Sequence, residues 1–148
     1  MKMIKEADKN DIENILLLIK ELARYEDRLD EVTATKEDLE YWIFKENKAK
    51  IILIYEDNTI AGYAVYFYSF STYSGTCKIY IEDLYIKNEY RKKGYGEALI
   101  NYIMVVAKNK RIAKVEWSCL KNNFKSLDYY HKLGAVLNDE SVKFSKKL

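Results

Sequence analysis

The chain has 148 residues, 49% of them hydrophobic, and a net charge of +2 from 25 basic and 23 acidic side chains. That length supports one domain (residues 1–148) with a real core, and the composition is too apolar for a disordered chain. The near-neutral balance gives no global argument for a nucleic-acid or membrane partner. The lack of a long apolar run or a leader-like segment sets the expectation of a cytoplasmic protein. One histidine and two scattered cysteines, Cys77 and Cys119, make no metal-ligand cluster. Both cysteines are expected to be reduced residues of the core.

In chain order, Met3–Glu6 suits a short strand, and Asn10-x-x-Glu13 has the form of a capping box. Ile12, Ile15, Leu16, Ile19, Leu22 and Ala23 follow at helical spacing, predicting a helix to about Tyr25. From Glu26 to Glu40 the chain carries seven acids (Glu26, Asp27, Asp30, Glu31, Glu37, Asp38, Glu40) against Arg28 and Lys36, a local charge of −5. Such a run is ordinarily a solvated face; the alternative is a funnel for a cationic substrate. Thr35 is placed to cap a second helix carrying Leu39, Trp42 and Ile43. Ala49–Tyr55, Ile60–Phe70 and Lys78–Ile86 read as three strands on short turns, an antiparallel meander crowded with tyrosine and phenylalanine.

The stretch Lys78–Gly96 carries the chemistry. Its strand is rich in Ile and Tyr and apolar on both faces, yet Glu82 and Asp83 interrupt it. A buried carboxylate needs a partner, water or a function. Adjacent strand residues point to opposite faces unless a bulge re-aims one. The strand runs into Arg91-Lys92-Lys93-Gly94-Tyr95-Gly96 and then a helix, Glu97–Asn109. Glycines at a helix start, with basic neighbours, suit a phosphate group. The spacing is neither that of a Walker loop nor of a dinucleotide fingerprint. Lys114–Cys119 is a further strand, and Asn123–Leu133 a last helix stopped by Gly134. Ala135–Leu137 and Val142–Phe144 are expected as closing strands around a 138–141 turn. On the last helix Asn123, Ser126 and Tyr130 share one face, with Phe124 and Leu127 anchoring the adjoining one.

These residues resemble the GNAT acetyltransferases, in which a central strand leads into Arg/Gln-x-x-Gly-x-Gly/Ala. The closer resemblance is to the spermidine/spermine (diamine) N-acetyltransferase branch, carried by Lys20–Glu26, Tyr80–Ile86, Tyr90-Arg91 with the two glycines, and Asn123–Ala135. The resemblance covers nearly the whole chain. It implies an α/β (α+β) GNAT fold: a central, mixed but mostly antiparallel twisted sheet with helices on both faces. It implies acetyl-CoA as co-substrate, held by Leu84, Tyr85, Ile86, Arg91, Lys92, Lys93, Gly94, Tyr95, Gly96, Glu97, Asn123 and Ser126, with no metal. It implies a small cationic amine, a polyamine or diamine, met by Tyr25, Glu26, Glu82 and Asp83, and a homodimer; the short terminal strand, which can pair with or lie along a partner, points the same way without locating the interface. In the family the tyrosine before the Gly-Ala corner is the general acid; here that is Tyr130, with Tyr129 the alternative.

An amine with a pKa near 10 must lose a proton before it attacks, and Glu82 is the candidate base, directly or through water. A backbone N–H at a bulge near Leu84–Ile86 is expected to stabilise the oxyanion, and Tyr130 to protonate the leaving thiolate. No serine or cysteine has a convincing base beside it, so direct transfer in a ternary complex is expected. The chain departs from the branch in lacking a proline before Ser126, in its short turn between Leu137 and Val142, and in its early end. That leaves the amine, and the roles of Asp139 and Glu140, open. Two alternatives stand beside the polyamine reading: an acetyltransferase for another amine, such as a lysine analogue or amino acid, and a catalytically silent acetyl-CoA-binding module.

Overall fold

A computed structural model describes residues 1–148, which fall into two compact units, Met1–Trp117 and Ser118–Leu148. The first is built on one five-stranded sheet with strands in sequence order: β1 (Lys2–Glu6), β2 (Lys50–Glu56), β3 (Thr59–Ser71), β4 (Thr76–Ile86) and β5 (Val115–Trp117). The first three pairings are antiparallel; β4 and β5 run parallel, over Ile79–Ile81 only. The β2–β3 turn is tight because Asp57 and Asn58 both take positive φ, 47° and 70°, a conformation these two residue types tolerate.

Helices cover both faces, as expected. On one face α1 (Ile12–Tyr25) and α2 (Lys36–Leu39) bury Ile15, Leu18 and Leu39 against Ile51, Leu53, Tyr63, Val65 and Tyr85. On the other, α3 (Tyr95–Asn109) buries Leu99, Ile103 and Ala107 against Ile52, Ile54, Ala64, Ile79 and Ile81. Each large aliphatic side chain removed from water in this way contributes roughly 1.5–3 kcal/mol.

The local signals were partly displaced. The cap before α1 is Asp8, not Asn10: Asp8 accepts from the Asn10 N–H at 2.8 Å and Asp11 accepts from the Asp8 N–H at 2.9 Å. A single 3-10 turn, Lys9–Asp11, stands between that box and α1. Thr35 does cap α2, reciprocally with Asp38. Past Leu39, however, the chain widens into π-type turns over Glu40–Lys45. Trp42 lies on these turns, half exposed. Cys77 is exposed and Cys119 half-buried; both are free thiols, and the core assignment fails for Cys77.

In the second unit α4 (Phe124–Lys132) is capped at its start by Asn123, whose Oδ1 accepts from the Ser126 N–H at 3.2 Å. It ends in a Schellman motif at Gly134 (φ 85°), with Gly134 N–H on the His131 carbonyl and Ala135 N–H on that of Tyr130. Phe124 does not anchor this helix, being 71% exposed. The expected closing strands are absent, and residues 135–148 form neither helix nor strand. Two three-residue runs around a polar turn make too few rungs to hold a hairpin, and Val136, Val142 and Phe144 lie exposed.

Gly62 on β3 is required by a close approach. A Cβ there would stand 2.3 Å from the Tyr85 carbonyl oxygen and 2.6 Å from Ile86 Cδ1. Gly62→Ala must therefore push β4 away exactly where Tyr85 and Ile86 sit. The expected cost is about 1–3 kcal/mol, read as a lower urea midpoint at unchanged slope.

Candidate active site

The register of β3 against β4 shifts once. Val65 pairs with Asp83 and Tyr66 with Ile81, so Glu82 has no cross-strand partner. This is a β-bulge, and it lies at Glu82, not near Leu84–Ile86. Those three residues stay in register with Ala64, Tyr63 and Gly62 because the extra residue has already been absorbed. The parallel ladder with β5 also ends at Ile81, so Glu82 opens a segment of β4 that β5 does not cover.

The bulge sorts the two acids. Glu82 is exposed. Asp83 is partly buried and faces the α1 side, where the fully buried Tyr63 donates its hydroxyl to Asp83 Oδ2 at 2.7 Å. Burial raises the Asp83 pKa above the ordinary carboxylate value, the charges of Glu82 and Glu26 raise it further, and the Tyr63 hydrogen bond opposes them. Glu26 is felt at both Asp83 and Tyr63, so the end of α1 and the middle of β4 bring their acids together. No cation figures among the charges acting on Asp83.

Tyr25, the other residue of the expected substrate pair, lies 6.4 Å from Tyr85 between ring centroids, and Tyr85 stands 6.4 Å from Tyr63. Arg91 caps this row, its guanidinium 4.4 Å from the Tyr25 ring and 5.6 Å from that of Tyr85, with Nε donating to the Ile86 carbonyl at 2.9 Å. The Arg91 guanidinium thus lies against the two tyrosines. A cavity of about 560 Å³ adjoins it, lined by Glu21, Arg24, Tyr25, Tyr85, Lys87 and Arg91 among others.

The glycine loop fits a diphosphate. Gly94 precedes α3 in the left-handed region (φ 80°), and no side chain caps the helix start. The first N–H groups of a helix have no intrahelical partner, and they carry the positive end of its dipole. Lys92 and Lys93 are exposed beside them. Tyr95 serves the loop from below: its ring is buried against the α3 side of the sheet and its hydroxyl donates to Glu56 Oε1 at 2.5 Å. That carboxylate pushes the phenol up to about 12. The Lys93 carbonyl accepts from Lys2 Nζ at 2.8 Å, a second tie between loop and sheet edge. Gly96 and Glu97 lie in the first turn of α3, Glu97 exposed. Leu84 and Ile86 pack half-buried on the α3 side, so any contact they make with a ligand is through their backbone.

In the second unit, Tyr130 and Tyr129 are half-buried neighbours, 5.6 Å apart between ring centroids. Ser126 is half-buried on the same helix, and the Asn123 side-chain oxygen is committed to the cap. Asp139 and Glu140 are exposed outside any regular element. Sequence reasoning missed Tyr63 and Gly62. The signal for Gly62 was a glycine inside an apolar strand, which marks close backbone approach. Nothing local marked Tyr63, whose partner comes from the next strand.

Three comparisons bear on this arrangement. Residues 12–135 match the model of the Acetyltransferase (GNAT) family. The chain is 37% identical over 142 residues to a thialysine N-epsilon-acetyltransferase from Bos taurus, covering 90% of this chain and 83% of that one. It is 29% identical over 141 residues to the Homo sapiens spermidine/spermine N(1)-acetyltransferase-like protein 1, covering 90% of this chain but 20% of that one. Among solved structures, an aminoglycoside acetyltransferase from an uncultured soil metagenomic sample, in complex with sisomicin, superposes with a TM-score of 0.83 at 20% identity, over 99% of this chain and 96% of that one; at that identity it speaks for the fold. With its family match over most of its length, a mixed sheet opened by a bulge, and a basic glycine turn at a helix start, the chain belongs to the GNAT family of N-acetyltransferases, enzymes that use acetyl-CoA.

Proposed function

We propose that this protein moves an acetyl group from acetyl-CoA to a primary amine of a small cationic substrate, a polyamine or diamine, by direct attack. One observation carries the reading: Glu26, Glu82 and Asp83 gather at the bulge beside Tyr25, and the charges acting on Asp83 are both negative. Such a cluster has a deficit of positive charge that a cationic amine fills. The Gly94–Glu97 helix start, with Lys92 and Lys93, holds the CoA phosphates. Leu84, Tyr85 and Ile86 offer their backbone along β4, and Asn123 and Ser126 complete the cofactor contacts.

Acetyl-CoA supplies the activated acetyl group. Glu82 takes the amine proton, directly or through water, and its exposure supports that role. Backbone N–H groups of β4 past Ile81, where the β5 ladder has ended, steady the developing oxyanion. Tyr130 supplies the proton that the departing sulfur needs, with Tyr129 the alternative. No metal takes part in this scheme. A second reading, a lysine analogue as acceptor, is favoured by the thialysine-acetylating relative and by Arg24, Lys87 and Arg91 around the cavity beside Tyr25, a setting for a carboxylate. The protein is placed in the cytoplasm, as a homodimer without nucleic-acid or membrane partners. The terminal strand that motivated the dimer is absent; exposed Val136, Leu137, Val142 and Phe144 support it instead. A monomeric mass by light scattering at micromolar concentration refutes it.

Gly96 is the cleaner probe of the loop, since Gly94 alone of the two needs positive φ. Gly96→Val should leave the fold intact and weaken acetyl-CoA binding by about tenfold or more, because a branched Cβ crowds the approach of a phosphate. Unchanged affinity by calorimetry removes the loop from the site.

Glu82→Gln should lower turnover by about a hundredfold or more, partly recovered at high pH as more amine arrives deprotonated. Tyr130→Phe should lower kcat with little change in acetyl-CoA affinity, since its proton matters chiefly in the transition state. The measurement is CoA release against a panel of spermidine, short diamines and thialysine across pH. Wild-type turnover in Tyr130→Phe with loss in Tyr129→Phe moves the acid by one position. Retention in both variants ends the general-acid role.

A further inference from the structure

We propose that Tyr63 is a positioning residue for amine recognition, its buried hydroxyl fixing the Asp83 carboxylate so that one oxygen is pinned and the other is presented to the incoming cation. The inference rests on the acceptor-site reading above and extends it to a residue that does not itself touch substrate. Tyr63 has no exposed surface, and its neighbours Leu53, Val65 and Tyr85 hold the ring in the α1-side core. Its hydroxyl has one acceptor, Asp83 Oδ2, at 2.7 Å. The two residues are not directly opposed across the sheet: Tyr63 pairs with Tyr85, and Asp83 pairs with Val65 two residues further along β3. The bond is therefore diagonal and exists only because the Glu82 bulge turns Asp83 to the Tyr63 face.

Asp83 Oδ1 receives no protein hydrogen bond, and no buried polar side-chain atom is left without a partner, so Oδ1 reaches solvent. The carboxylate is thus half committed to the core and half open. The titratable groups around it are Tyr63 from β3, Glu82 from β4, and Glu26 from the end of α1. Tyr85, edge-to-face with Tyr63, also carries the contact with Arg91. Burial, Glu82 and Glu26 all favour the protonated acid, and the Tyr63 hydroxyl is the group that favours the anion. A protonated Asp83 loses its attraction for a cation. The hydroxyl therefore serves both the orientation of the acid and the pH range over which it carries charge.

The test is Tyr63→Phe, which keeps the ring and deletes only the oxygen, with Asp83→Asn and the double variant. Two readouts separate this role from simple packing. The first is the Asp83 carboxyl titration in the ligand-free protein by carbon-13 NMR, assigned by its loss in Asp83→Asn. Removing a hydrogen bond from the anion should move that titration up by about one pH unit. The second is the pH profile of kcat/KM with spermidine and with thialysine. The acid limb should move up in step, with KM for the amine raised about tenfold below the new pKa, and kcat and KM for acetyl-CoA little changed. Tyr63→Phe in the Asp83→Asn background should add almost nothing. An unmoved Asp83 titration overturns the proposal whether or not either amine is a substrate. Additive effects of the two substitutions overturn it as well. Absence of turnover with every amine, alongside a shifted titration, tells against the acceptor reading and leaves the Tyr63–Asp83 coupling standing. Should Tyr63→Phe fold poorly, Tyr63→Leu with the same NMR titration decides the question, since it also lacks the donor.

Discussion

The one extra residue in β4 is the constraint on which core and site both depend. Ile79 and Ile81 face the α3 side; so do Leu84 and Ile86, although the count from 81 to 84 is odd. In an unbroken strand those two pairs would face opposite ways, and one would be lost to the wrong side of the sheet. Placing Glu82 outside the ladder resolves the conflict. The same step turns Asp83 and Tyr85 to the α1 side, where Tyr63, Tyr25 and Glu26 wait. The acid pair that interrupts an apolar strand is thus no defect tolerated by the core. One acid is the inserted residue and the other is what the insertion re-aims.

Charge is divided along β4 as well. The acids stand at 82 and 83; Lys78, earlier on the same strand, is paired with Glu116, and the next cation is Lys87, four residues past Asp83 and up to ~13 Å away along an extended backbone. That exceeds the screening length of about 8 Å at physiological salt, so the two groups do not cancel each other. The middle of β4 is thus acidic and the segment that follows the strand basic. Within the basic segment the Arg91 guanidinium lies against Tyr25 and Tyr85 with its Nε on the Ile86 carbonyl, and Lys93 lies 3.8 Å from Glu56 and 5.5 Å from the Tyr90 ring centroid.

Much of this was legible in the chain. The three-strand meander, the α1 and α3 faces, the Thr35 cap, the glycine loop and the Gly134 stop were each written in local patterns, and local patterns survive folding. The errors came where two local signals overlapped or where a distant partner decided. Asp8-x-x-Asp11 and Asn10-x-x-Glu13 are equally good on paper; a single 3-10 turn chooses the first. A regular second helix was expected through Trp42 and Ile43, and the pitch changes to π-type turns from Glu40. The closing strands had the right composition but no ladder to join. The bulge was foreseen in kind but misplaced by two residues, although the parity change between Ile81 and Leu84 marks its position without any structure.

The acceptor's identity turns on a single chemical difference. A polyamine is positive at every functional group, so a cluster of carboxylates suits it throughout. A lysine analogue carries a carboxylate of its own, which Glu26, Glu82 and Asp83 repel. That substrate needs the acids at one end and a cation at the other, and Arg24, Lys87 and Arg91 stand around the cavity beside Tyr25. Lys87 is partly engaged there by Glu21 at 3.8 Å and Arg91 lies against its tyrosines, while exposed Arg24 enters no ion pair. Recruiting Lys87 or Arg91 for a carboxylate means giving up contacts the fold already makes, whereas a second ammonium group displaces nothing at Asp83. Arg24 is the cation at that cavity which a carboxylate could meet without displacing an existing ion pair.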